Sequence, residues 1–203
     1  MDVGKAGRYM KYGTCIAALS VTRILMNGFE VFNKELGAMF ERVCYLQAML
    51  FNEWRMLSNE SRDLPIEWNI MHMYTSSQLA KLLALKRSID PEKAALVATL
   101  HDIAVVATGK HERHGELAEP YIREAVSKHN NNVDLKLTIN KEDVDLFVEA
   151  IKVHSNKKDI SENGLIELLK DVDCLDRYLN GVDTYGIHMD RCQKALKELG
   201  CVF

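Results

Sequence analysis

Apolar residues recur every three to four positions along most of this chain, and that period admits little besides packed helices. There are 3 prolines in 203 residues, and two stand where a helix should begin. Asp90-Pro91-Glu92 joins an N-cap carboxylate to a proline at the first helical position and an acid in the first turn. Asp63-Leu64-Pro65-Ile66-Glu67 is a looser version of the same start, and Asn140 precedes Lys141-Glu142-Asp143, a cap followed by acids that suit the helix dipole. The stripes predict helices over roughly 14–26, 35–58, 66–86, 91–107, 112–129, 141–155, 162–180 and 188–199. Nowhere do β-branched residues alternate cleanly over five or more positions, so strand signals are lacking. The clearest loop is His129-Asn130-Asn131-Asn132-Val133-Asp134. The fold class expected is all-α.

Hydrophobic residues make up 47% of the chain, charged residues 27%, and the net charge is −3, ordinary values for a globular domain. No sustained Lys/Arg stripe is present, so no nucleic-acid partner is expected. A phosphorylated small molecule stays open, because a few local cations and a metal outweigh a mildly acidic surface. The 5 cysteines, Cys15, Cys44, Cys174, Cys192 and Cys201, form no CxxC pair, which argues against a zinc ribbon or a redox motif. Free thiols fit a reducing compartment. Ile16 to Met26 is interrupted by Ser20, Thr22 and Arg23, and no apolar run approaches the roughly 20 residues that cross a bilayer. A cytoplasmic protein without a membrane partner is expected.

Chemistry enters with His101-Asp102. Ala94, Val97, Ala98, His101, Ala104 and Val105 share one face of the predicted 91–107 helix, which puts His101 at a core position; Asp102 lies about 100° further round. On the preceding helix Trp68, His72, Thr75 and Leu79 share a face, and on the 141–155 helix Phe147, Ile151 and His154 do. On the 162–180 helix Ile166, Leu169, Asp173 and Asp176 line up. His111 and His114 open the helix that continues through Ala118 and Tyr121, with His114 better aligned to its stripe. One histidine on an apolar face is usually a hydrogen-bonded core residue, and Asp171, Asp173 and Asp176 could form a solvated face with Arg177. Taken together, however, several helices would each bury a metal-competent side chain, and buried imidazoles and carboxylates are costly unless paired or bound to metal. Histidine nitrogen with carboxylate oxygen suits Mn, Fe, Ni, Zn, Co or Mg. Residues 1–60 carry no candidate ligand and read as an N-terminal helical extension on a core of 61–203, the whole forming one compact domain.

The order His72, then His101-Asp102 29 residues later, then His114, His154 and a distal Asp173 resembles the HD-domain metal-dependent phosphohydrolase superfamily. Ala94-Ala95-Leu96-Val97-Ala98-Thr99-Leu100-His101-Asp102-Ile103 is similar to the family's His-Asp helix, and His114-Gly115-Glu116-Leu117-Ala118 to the helix that often brings an additional histidine. Lys170-Asp171-Val172-Asp173-Cys174-Leu175-Asp176 resembles the family's segment carrying the distal aspartate, which favours Asp173 over its neighbours. The resemblance covers about residues 66 to 180. It implies a helical bundle with one or two divalent ions between helices, His72, His101, Asp102 and Asp173 as the primary ligands, and His114 and His154 as second-metal ligands or phosphate contacts.

The activity implied is metal-assisted hydrolysis of a phosphoester, most naturally a nucleotide or related small phosphorylated metabolite. Asp102 would bridge two ions or orient the nucleophile, and His114 or His154 would offset developing charge or protonate the leaving oxygen. Lys110, Lys157 and Arg177 are candidate phosphate-side cations; Lys110 would replace the Gly-Lys that often follows the family's His-Asp, where this chain reads Ile103-Ala104-Val105-Val106. Two rival readings differ in class: a non-catalytic HD-fold module that binds a nucleotide or protein, and a di-iron oxygenase built on the same ligand pattern. Phe29, Phe32, Met39, Phe40, Leu46, Met49 and Leu50 offer a homodimer surface, or else cover the core.

Overall fold

The computed structural model describes residues 40–201, and among them no strand occurs. The helix expected over 14–26, the start of the 35–58 helix, and Cys15, Phe29, Phe32 and Met39 lie outside the described residues. The helices are α1 (Glu41–Trp54), α2 (Ile66–Arg87), α3 (Pro91–Leu100), α4 (Ile103–Thr108), α5 (His114–Leu117), α6 (Glu119–Asn131), α7 (Lys141–Val153), α8 (Gly164–Leu179) and α9 (Ile187–Glu198), with a 3₁₀ turn at Leu135–Leu137. No described helix is long and apolar enough to cross a membrane.

Local chemistry sets the starts. Asp90 caps α3 by accepting from the backbone N–H of Glu92 at 2.9 Å and Lys93 at 3.1 Å, while Pro91 removes a donor that would go unused. Asn140 caps α7 through Asp143 N at 2.8 Å, and Asn163 caps α8 through Leu165 N at 3.0 Å. The looser start at Pro65 is capped from a distance, by Asn59 Oδ1 accepting from Ile66 N at 2.7 Å. Gly109, at φ +73°, closes α4 with a left-handed residue whose N–H reaches Val105 O.

α3 is apolar on every side, with Ala94, Ala95, Leu96, Val97, Ala98 and Leu100 fully buried, so it must lie at the centre of the bundle. It packs against α1, α2, α7 and α8. α1, which falls in the stretch expected as an extension, inserts Val43, Leu46 and Leu50 into that same core.

Two predicted helices are broken, both beside candidate ligands. The 91–107 helix stops at Leu100 and resumes at Ile103. His101 Nδ1 donates to Ala98 O at 2.6 Å, the carbonyl that the Asp102 N–H would take in a continuous helix. Asp102 sits at φ −102°, ψ 16° and starts the next turn. The 112–129 helix likewise splits into α5 and α6 around Ala118.

Candidate metal centre

Three histidines reach the site by one device. His101, His114 and His154 stand at helix boundaries, and each folds its ring back so that Nδ1 donates to the carbonyl three residues earlier: Ala98 at 2.6 Å, His111 at 2.7 Å and Ile151 at 2.6 Å. A carbonyl can only accept, so the proton is on Nδ1 and Nε2 carries a lone pair aimed inward. His72, in the middle of α2, achieves the same with a carboxylate: Nδ1 lies 2.5 Å from Asp176 Oδ2.

The four Nε2 atoms then meet in two pairs, His72 with His101 at 3.0 Å and His114 with His154 at 3.0 Å. Asp102 stands between the pairs and gives one oxygen to each. Its Oδ2 is 3.5 Å from His72 Nε2 and 3.7 Å from His101 Nε2, and its Oδ1 is 3.1 Å from His114 Nε2 and 3.7 Å from His154 Nε2. Asp173 Oδ1 joins the first pair, 3.4 Å from His72 Nε2 and 3.9 Å from His101 Nε2. All six residues are buried. Two facing lone pairs 3.0 Å apart repel unless a cation or proton lies between them, and the carboxylates add more acceptors. Donors are few: Ser155 Oγ lies 3.3 Å from His114 Nε2, and Lys157 Nζ donates to Asp173 Oδ2 at 2.5 Å. His72, His101 and Asp102 form one group able to hold a divalent ion, and Asp102, His114 and His154 a second. The donor set therefore fits the metal that the sequence led us to expect.

Without a metal, a proton on His72 Nε2 takes the cation's place between the paired rings. Burial opposes an imidazolium at His72, yet contact with Asp173 and Asp176 outweighs it and raises the pKa to about 10. At His101 burial wins and lowers it to about 4. Asp102 is held well below the usual carboxylate range, against the penalty of burial, by the surrounding imidazoles with His101 foremost. Asp173 is likewise held low, against burial, by Lys157 and His72. Both carboxylates are thus ionised, a strong field for a cation.

A cavity of about 120 Å³ opens beside the cluster, lined by Asp102, His111, His114, Ser155, Lys157, Asp173, Arg177 and His188. Lys157 and Arg177 line it; Lys110 does not, because its Nζ pairs with Asp63 Oδ1 at 2.9 Å in a solvent-exposed contact. The spacing after His-Asp suggested Lys110, but Asp63 draws it away and also accepts from His111 N at 2.9 Å. His111 and His114 are both present: His114 reaches Asp102, while His111 stands at the cavity wall with ring centroids 4.5 Å apart. The solvated acidic face is overturned. Asp171 is fully buried between Arg87 at 2.6 Å, Arg191 at 2.6 Å and Lys194 at 3.3 Å, and Asp176 is buried behind His72. Asp176 was visible on its helix face, but its role depends on a residue 104 positions away. Ser155 and His188 carried no signal at all.

The HD domain family model matches residues 69–181, more than half of the chain. The chain belongs to the HD-domain family. No curated protein and no protein of solved structure matches it. The HD-domain match encloses His72, His101, Asp102, His114, His154 and Asp173, and ends before α9. The HD-domain fold and a His/Asp cluster able to hold a divalent metal thus coincide in the same residues.

Proposed function

We propose that this HD-domain protein is a metal-dependent phosphohydrolase acting on a phosphoester, with a nucleotide or a related small phosphorylated metabolite as substrate. One observation carries the reading: four Nε2 lone pairs and the two oxygens of Asp102 converge, buried, beside a small cavity that Lys157 and Arg177 line. His72, His101, Asp102 and Asp173 would hold one ion, and Asp102, His114 and His154 a second. A divalent ion there supplies Lewis acidity toward water and a phosphoryl oxygen.

The chain's own groups do the rest. Arg177 and Lys157 offer positive charge to the phosphoryl oxygens, Arg177 as a forked donor and Lys157 as a point charge steadied by Asp173. With both ring nitrogens of His114 and His154 engaged, proton transfer falls to His111 or His188. Burial lowers the pKa of each below the ordinary histidine value, so at neutral pH either ring can take a proton from the attacking water and return it to the departing oxygen. The P–O bond to water forms as the ester P–O bond breaks, and the leaving group departs as an alcohol.

The test is divalent metal per chain by elemental mass spectrometry, for the wild type and His101→Ala, with hydrolysis of a phosphoester panel. Metal and turnover should both disappear in the variant while the helical circular dichroism persists. Full hydrolysis by His101→Ala or Asp102→Ala refutes the reading, and iron with oxygen-dependent substrate loss replaces it with an oxygenase.

A further inference from the structure

Arg177 and His188 line the reaction cavity, and both also line a second cavity of about 160 Å³ formed with Cys174, Val182, Asp183, Thr184 and Tyr185. The two spaces therefore adjoin, with this pair of side chains between them. We propose that the segment 182–185, between α8 and α9, forms the leaving-group subsite for a pentose carried on a phosphate monoester. This rests on the phosphoester reading above and adds where the rest of the substrate lies and what it is.

Charge gives the direction. The lysine and arginine of the reaction cavity, Lys157 and Arg177, stand after α7 and on α8, and none comes from the α5 wall. Lys157 is engaged by Asp173, whereas Arg177 has no carboxylate within ion-pair distance among the described residues. A phosphoryl group drawn to that guanidinium lies next to the 182–185 segment, which lines the adjoining cavity with Arg177.

The lining chemistry gives the class. Asp183 is an exposed carboxylate, an acceptor with room for two hydroxyl donors, which a vicinal diol supplies. A second phosphate in the same place would be repelled, which disfavours polyphosphates. Thr184 Oγ1 donates to Val182 O at 2.8 Å, so its lone pairs are left to accept another hydroxyl. Tyr185 is 80% exposed and offers a ring face on which a base attached to the sugar can stack. Gly181 at φ +79° and Gly186 at φ +56° bracket the segment in conformations that L side chains rarely adopt, so both turns call for glycine. His188 and the whole of the 182–185 segment lie beyond the family match at 69–181.

A larger cavity of about 450 Å³ on the α5 side, with Glu112, Arg113, Glu116 and Lys152 in its wall, is the rival location. Binding of ribose 5-phosphate, adenosine 5′-monophosphate and inorganic phosphate, followed by calorimetry on the metal-loaded full chain, separates the two. Asp183→Ala should weaken both pentose phosphates about 10- to 100-fold, as for loss of hydrogen bonds to a charged group, and leave inorganic phosphate within about twofold. Tyr185→Ala should weaken the nucleotide alone, which also distinguishes a nucleotide from a free sugar phosphate as the source. Both residues are exposed, so the fold should tolerate either change. No binding of either pentose phosphate, equal loss for inorganic phosphate, no effect of Asp183→Ala, or losses that follow Lys152→Ala instead would each overturn the subsite. Asp183-dependent binding without hydrolysis of any ester would keep the subsite and refute the catalytic reading; hydrolysis indifferent to Asp183 would do the reverse.

Discussion

Gly115→Ala tests whether close helix packing, rather than helix propensity, builds the His114–His154 half of the site. Gly115 lies in α5 and is not among the positive-φ residues, so propensity alone predicts that Ala stabilises by about 0.4–1 kcal/mol. Its surroundings predict the opposite. A Cβ there would sit 2.7 Å from Ile151 O, 3.1 Å from Lys152 O and 3.4 Å from His154 Nδ1. Carbon–oxygen contacts settle near 3.3 Å or more, so α5 must retreat from the end of α7 by about 0.6 Å. The obstacle is backbone carbonyl, which cannot rotate aside, and Ile151 O is also the acceptor that orients the His154 ring.

Two consequences follow from that retreat. Overpacking of this kind costs about 1–3 kcal/mol, or roughly 2–4 °C in Tm per kcal/mol for a domain of this size. A shift of about 0.6 Å also exceeds the roughly 0.2 Å tolerance of metal–ligand distances, so an ion that Asp102, His114 and His154 would hold should be lost before one that His72 and His101 would hold. Differential scanning calorimetry and elemental mass spectrometry read both. Gly164→Ala is the control, because its Cβ would meet only the flexible Ile89 side chain, nearest at 3.3 Å. A Gly115→Ala protein with higher Tm and unchanged metal content would refute the packing argument.

Asp176→Asn keeps the shape behind His72 but removes the charge on its Nδ1 partner; metal affinity measured by competition with a chelator should fall about 10- to 100-fold. Asp171→Ala leaves Arg87 with only Glu198 and Arg191 with only Glu167, and should cost about 1.5–3 kcal/mol in urea unfolding while metal content per folded chain stays unchanged. Chelator-treated protein should be most stable near pH 6.5. His72, raised to about 10, binds its proton more tightly folded, so its contribution is complete below pH 6.5 and lost as pH rises toward 10. His101, lowered to about 4, works in the other direction: its contribution is complete above 6.5 and lost as pH falls toward 4, with Asp102 and Asp173 adding further loss in acid. A Tm that rises steadily from pH 6.5 to 10 in the metal-free protein would contradict this assignment.

What the sequence made legible was local. Asp90 and Asn140 cap the helices they precede because a cap needs only the next three residues. Helical period placed His72, His101, His154 and Asp173 on inward faces, and all four are buried. What stayed hidden depends on partners that arrive from elsewhere. The apolar period runs straight through His101-Asp102, yet the helix breaks there because the imidazole takes the carbonyl that the Asp102 N–H would have used. Asp171, Asp173 and Asp176 sit on one apolar helix, but about 100° per residue turns Asp171 away from the other two. Asp171 meets arginines from α2 and α9, Asp173 meets His72 and Lys157, and Asp176 passes behind His72. Lys110 shows the same rule in reverse: it follows the His-Asp closely in sequence, and a carboxylate 47 positions upstream decides where it points. Periodicity tells which residues face inward; only the arrival of the other helices decides which of them become ligands, which orient ligands, and which merely carry charge.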